Sequence, residues 1–114
     1  MMRGKVVLVP FPFDDLSGRK VRPAVCLTEP VGPYRHVVLA FVTSSLASQL
    51  LPTDLALEDT HPDFAATGLK ASSAIQLHRL LTVSTSVILR ELGDLSVELQ
   101  ADVDRRLRGV FALE

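Results

Sequence analysis

Residues 36–43 read His-Val-Val-Leu-Ala-Phe-Val-Thr and form the strongest strand pattern in the chain. The run is nearly all apolar and rich in β-branched residues, which is typical of a central strand buried on both faces. Shorter strand patterns lie on both sides of it, at Lys5–Val9, Pro23–Thr28, Thr53–Leu57 and Ser73–His78, the last continuing as a short extended piece toward Thr82. No βαβ spacing separates them, so a doubly wound sheet is not expected. The pattern predicts a mainly β fold, a small twisted barrel with helices.

Two helices are predicted after the strands. Ser84 or Ser86 can cap a short helix that runs through Leu92 and ends at Gly93. Ser96 can cap a second, C-terminal helix. The apolar residues of that second helix recur on one face, at Leu99, Val103, Leu107, Val110 and Phe111. Residues 44–51 are ambiguous, and we expect a single helical turn there before Pro52.

Length and composition narrow the class of protein. A chain of 114 residues with 47% hydrophobic and 22% charged residues indicates one folded domain, residues 1–114. The lone Cys26 excludes an internal disulfide and a cysteine-built zinc site, and the three histidines have no metal-ligand spacing. We therefore expect no metal and no other cofactor. No apolar run is long enough to cross a bilayer and no signal peptide precedes the first strand, which favours a cytoplasmic protein without a membrane partner.

The charge of the chain is unevenly distributed. The net charge of −1 disfavours a nucleic-acid binder, but residues 1–36 carry +3 and residues 37–114 carry −4. Arg19, Lys20 and Arg22 lie within four positions of one another. This cluster is either a local anion site or a chance fluctuation, and the charges alone do not decide between the two.

Arg22 and Thr43 are the residues best suited to hold a phosphate. Arg22 precedes Pro23, which restricts its backbone to extended geometry, and Thr43 ends the strongest strand. A guanidinium and a hydroxyl together can grip one phosphate group. The simpler alternative is a solvated Arg22 at the rim and a Thr43 that satisfies backbone groups. The residues by themselves favour this alternative, and no phosphate-binding glycine loop or serine-hydrolase motif is present.

Short blocks of sequence follow one another in a characteristic order. They are Gly-Lys-Val-Val-Leu-Val-Pro-Phe-Pro-Phe at 4–13, Asp-Leu-Ser-Gly at 15–18, Arg-Pro-Ala-Val at 22–25, Phe-Val-Thr-Ser at 41–44, Leu-Pro-Thr-Asp-Leu at 51–55, Gly-Leu-Lys-Ala-Ser-Ser at 68–73, Leu-Thr-Val at 81–83 and Leu-Gly-Asp-Leu-Ser at 92–96. Each block alone is a weak signal. The ordered set covers nearly the whole chain and resembles the MazF/PemK toxins, the toxin halves of bacterial type II toxin–antitoxin pairs.

The resemblance implies a fold, an activity and partners. The fold is an SH3-like barrel of the MazF/PemK/CcdB type with a C-terminal helix, usually a homodimer. The activity is metal-independent, sequence-specific cleavage of single-stranded RNA, including mRNA, to 2′,3′-cyclic phosphate and 5′-hydroxyl ends, which inhibits translation and growth. The protein partner is a cognate antitoxin whose disordered C-terminal segment covers the RNA groove. In that pattern Arg22 matches the catalytic arginine and Thr43 the threonine that contacts the phosphate.

The chain departs from the family pattern near residues 75–79. Some members carry an arginine and an aspartate there with acid–base roles, whereas this chain has Gln76 and His78, with Arg79 one residue beyond. His78 is expected to be the third catalytic residue, because histidine can shuttle protons near neutral pH. Its alternative is a strand residue with a satisfied ring. The residues expected to bind RNA are Phe11, Phe13, Arg19, Lys20, Ser44, Gln76 and Arg79.

Alternatives to these assignments remain open. Phe11 and Phe13 can stack on bases, or they can plug the barrel end and pack across a dimer interface. At the level of function, one alternative is a non-catalytic toxin that poisons a protein target, as the gyrase-poisoning relatives do with the same barrel. Another is an inactive member of the family. The pair Arg22 and Thr43 favours the nuclease, and the departure at Gln76 and His78 is the one feature that favours an inactive member.

Overall fold

The computed structural model describes residues 1–10, 21–45 and 50–114. Within them the strands are β1 (Lys5–Pro10), β2 (Val21–Cys26), β3 (His36–Thr43), β4 (Asp54–Leu57), β5 (Ser73–Ser84) and β6 (Arg90–Asp94). Helix α1 (Val97–Val110) follows them, and short 3₁₀ turns lie at Ala65–Thr67 and Thr85–Val87. The helical turn predicted within residues 44–51 falls on positions that include 46–49, outside the described residues. No helix in the described ranges is long and apolar enough to cross a membrane.

The strands form one antiparallel sheet in the order β4-β5-β3-β2-β1-β6. β3 has the predicted bounds and a central position, and its Val37, Leu39 and Ala40 are fully buried. The sheet curls into a half-barrel that carries α1 at its C-terminal end. The prediction of a mainly β barrel with a C-terminal helix is therefore confirmed.

Both faces of the curled sheet are buried over most of its area. We call one the inner face, where Val6, Val25 and Ile75 pack against Val103 of α1. The opposite, outer face is formed by the alternate residues of the same strands. Its buried residues include Val7, Val9, Ala24, Cys26, Leu39 and Phe41.

Helix α1 begins at the predicted cap. The Ser96 hydroxyl accepts a hydrogen bond from the Leu99 N–H at 3.1 Å, which satisfies one of the free donors of the first turn. Leu99 and Val103 are buried, as the apolar stripe predicts. Phe111 is 55% exposed because the helix ends at Val110 and leaves Phe111 beyond its last turn.

The predicted short helix that runs through Leu92 is wrong. Ser84 does cap a turn, accepting from the Ser86 N–H at 3.3 Å, but that turn ends at Val87. Arg90–Asp94 is instead β6, which pairs along β1. This pairing supplies hydrogen-bond partners to the backbone groups along one edge of β1, which would otherwise lack them. The stabilisation comes from residues distant in sequence, so local helix signals do not reveal it.

β2 and β5 differ from their predicted bounds. β2 runs from Val21 to Cys26 rather than from Pro23 to Thr28, because Val21 and Arg22 pair with Pro10 and Val9 of β1. β5 runs unbroken through the two extended pieces that the sequence predicts, but its register with β3 shifts. Residues 77–79 lack partners on β3, so β5 bulges at that point.

Candidate functional site

A row of side chains in register crosses the outer face of the sheet. Ala24 pairs with Phe41, Phe41 with Gln76, and Gln76 with Asp54. Residues opposite one another on neighbouring strands point to the same face of a sheet. Gln76, one of the residues expected to bind RNA, therefore lies between Phe41 and Asp54. The row spans four adjacent strands, which hold Gln76 in position.

Arg22 and Thr43 lie one step farther along the same face. Arg22 is two residues before Ala24 and Thr43 is two residues after Phe41, and residues two apart in a strand share a face. Extending the register of β2 and β3 by two residues places Arg22 and Thr43 at matching positions on the two strands. Both side chains are half-buried. A guanidinium and a hydroxyl are thus fixed on one face, at adjacent strand ends.

The Thr43 hydroxyl is oriented by its own turn. Its Oγ1 accepts a hydrogen bond from the Ser45 N–H at 3.1 Å. A hydroxyl that accepts one bond keeps its own hydrogen for donation. Thr43 can therefore donate to an anionic oxygen without giving up the contact that positions it.

Arg79 turns toward the same row from the bulge in β5. Its guanidinium carbon lies 5.7 Å from the centre of the Phe41 ring, a cation–π contact. Strand alternation alone would point Arg79 away from Gln76. The bulge at residues 77–79 changes the direction of the side chain, which is a common effect of bulges next to functional sites.

The His78 ring is held through one of its nitrogens. Nδ1 lies 2.9 Å from Thr53 Oγ1 and 3.8 Å from Asp54 Oδ1. The side chain is 34% exposed, so the ring reaches solvent while Nδ1 faces the start of β4. Occupation of Nδ1 leaves Nε2 as the nitrogen available for proton transfer.

Asp54 is an unusual buried carboxylate. Its Oδ2 accepts from the Leu51 N–H at 2.9 Å, but Oδ1 is buried and accepts no hydrogen bond within the described residues. The Arg106 guanidinium donates to the Asp54 carbonyl oxygen at 3.0 Å and so ties β4 to α1. The His78 ring lies 3.8 Å from Oδ1 and forms an ion pair with this carboxylate when the ring is protonated.

The remaining predicted residues fall elsewhere. Ser44 is exposed and lines a separate cleft, together with Pro23 and Arg90, so it does not join the row on the outer face. Phe11, Phe13, Arg19 and Lys20 lie outside the described residues. The structure therefore brings together Arg22, Thr43, Gln76, His78 and Arg79 on or beside one face.

Thr53 and Asp54 are functional candidates that the sequence analysis missed. They read as the polar start of a half-buried strand, and more than twenty positions separate them from His78. The sequence carried no signal for Asp54, because the alternation with Leu55 and Leu57 places it on the face opposite these apolar residues, where an acidic side chain is ordinary.

Cys26 is not part of the site. It is fully buried on the outer face, and its Sγ donates to the Thr28 carbonyl oxygen at 3.2 Å. Burial raises the pKa of the Cys26 thiol, which keeps it neutral and unreactive. In the described part of the chain, no group of three or more His, Cys, Asp or Glu side chains is placed to hold a metal ion.

Comparison with known proteins places the fold. Residues 2–111 match the family described as PemK-like, MazF-like toxin of type II toxin-antitoxin system. Among curated protein sequences, none is significantly similar to the chain.

Three solved structures of bacterial proteins illustrate the shared fold. The Mycobacterium tuberculosis toxin MazF-mt6 is 18% identical, with a TM-score of 0.70 over 96% of this chain and 98% of that one. An endoribonuclease in complex with its cognate antitoxin, from a mycobacterial species, is 17% identical, with a TM-score of 0.68 over 100% and 97%. The MazE–MazF structure from Deinococcus radiodurans is 17% identical, with a TM-score of 0.71 over 100% and 98%. At these identities the likeness shows the fold.

Proposed function

This chain belongs to the PemK/MazF family of toxins of type II toxin–antitoxin systems, and on that basis we propose that it is a metal-independent endoribonuclease. Its substrate is single-stranded RNA, including mRNA, and cleavage inhibits translation and growth. The products are a 2′,3′-cyclic phosphate and a 5′-hydroxyl end. The observation that supports this proposal best is the shared face of Arg22, Thr43 and Gln76, with His78 beside it.

The reaction needs no nucleophile from the protein. The ribose 2′-oxygen attacks the adjacent phosphorus while the bond from phosphorus to the 5′-oxygen breaks. Charge accumulates on the non-bridging oxygens, where the forked donors of Arg22 and the hydroxyl of Thr43 stabilise it. Gln76 and Arg79 contact the neighbouring nucleotide, and preorganised donors of this kind supply most of the rate enhancement in such reactions.

Two protons move during the step. One leaves the 2′-hydroxyl and one reaches the departing 5′-oxygen. His78 transfers the proton at one of these oxygens through Nε2, because Nδ1 is hydrogen-bonded to Thr53 Oγ1, and solvent water exchanges the proton at the other oxygen. The bond to Thr53 supports this role, because a general acid or base acts best when its ring is held in one position.

The partners follow from the family. A cognate antitoxin covers the RNA-binding face and holds the toxin inactive, and two copies of the chain form a homodimer in the cytoplasm. Two relatives of the same fold are described as complexes with an antitoxin or with MazE. The masking of a cationic face by an acidic or disordered segment is a common mode of recognition.

The test replaces one phosphate ligand at a time. Arg22→Ala and Thr43→Ala are each expected to slow RNA cleavage by about 10²–10³-fold, the effect of removing one preorganised donor. Arg108→Ala is the matched control, because Arg108 lies exposed in the last turn of α1. Initial rates on one long RNA give the comparison. Equal rates for Arg22→Ala and Arg108→Ala would remove Arg22 from the mechanism.

A further inference from the structure

A cleft of about 320 Å³ opens on the inner face of the sheet, next to the proposed phosphate site. Pro23 and Ser44 line it, and these are the chain neighbours of Arg22 and Thr43. Because successive strand residues point to opposite faces, the cleft and the phosphate site lie on the two sides of the same strand ends. A chain that passes over these ends reaches both.

The floor of the cleft is apolar. Leu8 and Pro23 face each other across β1 and β2, and Leu69 and Leu92 pack against the inner core beside them. These side chains are half-buried rather than exposed. A flat apolar group can therefore rest on a firm surface, and the volume lies in the range of small-ligand pockets, about 300–1,000 Å³.

Two cations from different parts of the chain line the same cleft. Lys70 comes from the loop before β5 and Arg90 is the first residue of β6. Both are exposed, and neither side chain forms an ion pair or hydrogen bond within residues 1–10, 21–45 and 50–114. Three other cations have acidic partners: Arg3 has Asp104, Lys5 has Asp94 and Arg105 has Asp102. Lys70 and Arg90 therefore keep their full attraction for an external anion.

We infer that this cleft binds the nucleotide on the side of the cleaved phosphate away from Gln76 and Arg79, with the base on the leucine floor and its outer phosphate on Lys70 and Arg90. The inference rests on the proposed cleavage of RNA. An apolar floor beside two unpaired cations matches a nucleotide, which combines a flat base with an anion. Arg22 and Thr43 are followed in the chain by Pro23 and Ser44, which line the cleft. An RNA strand that passes over these residues therefore reaches both the phosphate site and the cleft.

Binding of a non-cleavable RNA tests the subsite directly. The probe is a fluorescein-labelled 12-nucleotide single strand of randomised sequence, 2′-O-methylated throughout, and anisotropy is measured between 50 and 200 mM salt, a range chosen because phosphate contacts are salt-dependent. Lys70→Gln and Arg90→Gln should each weaken binding about two- to fivefold. Each should also lower the slope of log K against log salt by about 0.7, the value for one phosphate on a single strand. Arg108→Gln, which removes the same charge outside the cleft, should leave the slope unchanged.

A second variant tests the base. Ala71 is exposed at the cleft, and Ala71→Leu fills the space while it keeps every charge. It should weaken binding severalfold with no change of salt slope. Wild-type slopes in Lys70→Gln and Arg90→Gln, with RNA still cut by the unmodified protein, would overturn the subsite and leave the nuclease intact. If neither the unmodified protein nor any variant cleaves RNA, the proposed function itself is contradicted.

Discussion

His78 is held beside the site through Nδ1. Thr53 Oγ1 lies 2.9 Å from that nitrogen and Asp54 Oδ1 lies 3.8 Å from it. A protonated ring forms an ion pair with the buried Oδ1, which accepts no hydrogen bond within the described residues. Asp54 is therefore expected to help orient the ring during proton transfer, much as a buried carboxylate orients histidine in other hydrolytic sites.

Asp54→Asn tests this arrangement. The amide keeps the shape and can still accept from the Leu51 N–H, so we expect the fold to be retained. Cleavage should slow about 10- to 100-fold, less than the full effect of an acid–base group. Asp59→Asn, in an exposed loop, is the matched control. Rates are compared on the same RNA after thermal unfolding has confirmed that both variants fold, and identical rates would show that Asp54 has no role in proton transfer.

Glu29 links the N-terminal residues to the loop between β2 and β3. Hydrogen bonds from the backbone N–H groups of Met2 and Arg3, at 2.9 and 3.1 Å, hold the pKa of the Glu29 carboxyl below its ordinary value of 4.5. A lowered pKa in the folded state stabilises the protein above the unfolded pKa, and this contribution disappears as the pH falls through the folded pKa.

Glu29→Gln should therefore lower the free energy of unfolding at pH 7. This loss of stability should shrink as the solution is acidified below the ordinary carboxyl pKa of 4.5. Urea unfolding of both proteins at a series of pH values measures the difference. The two stability curves should converge at the acid end. A constant gap across the series would mean that the charge of Glu29 does not matter.

At the scale of elements, β6 fits closely against the 3₁₀ turn at Ala65–Thr67. A Cβ on Gly93 would lie 2.2 Å from the Ala66 carbonyl oxygen and 2.6 Å from the Thr67 carbonyl carbon. Both neighbours are backbone atoms, so they cannot rotate away as a side chain would. The absence of a side chain at Gly93 therefore allows β6 to approach the turn this closely.

Gly93→Ala should destabilise the protein by about 1–3 kcal/mol or more, because the added methyl forces the backbone apart. Gly109→Ala is the matched control, since a Cβ there meets no atom within 4 Å and the position lies inside α1. That variant should gain up to about 1 kcal/mol of stability from helix propensity. Denaturant unfolding gives both values, and equal stabilities for the two variants would contradict the close approach of β6.

The elements differ in how far their sequences reveal them. β3 and α1 were predictable because their patterns are local: an unbroken apolar run, and a serine cap followed by an apolar stripe. β6 was not, because the stretch from Ser84 to Gly93 carries helix caps at both ends while its pairing with β1 is set by residues more than eighty positions away. The contact of His78 with Asp54 depends in the same way on the pairing of β4 with β5 and on the bulge at residues 77–79.

At the scale of the whole molecule, total charge is a poor guide to function. The net charge is −1, yet the first 36 residues carry +3, and Lys70 and Arg90 add two cations beside the proposed phosphate site. An acidic remainder limits non-specific attraction to phosphates, while focused cations bind a phosphate where the reaction occurs. A nuclease that must release its products gains from such a distribution.

The chemistry of the RNA ends tests the central proposal most directly. Purified protein is incubated with a long RNA in excess EDTA, and both new ends of each product are identified. We expect cleavage in the chelator, with 2′,3′-cyclic phosphate at one end and 5′-hydroxyl at the other, because the 2′-oxygen is the nucleophile. RNA that stays intact at high protein excess, or products that carry 5′-phosphate ends, would contradict the proposed function.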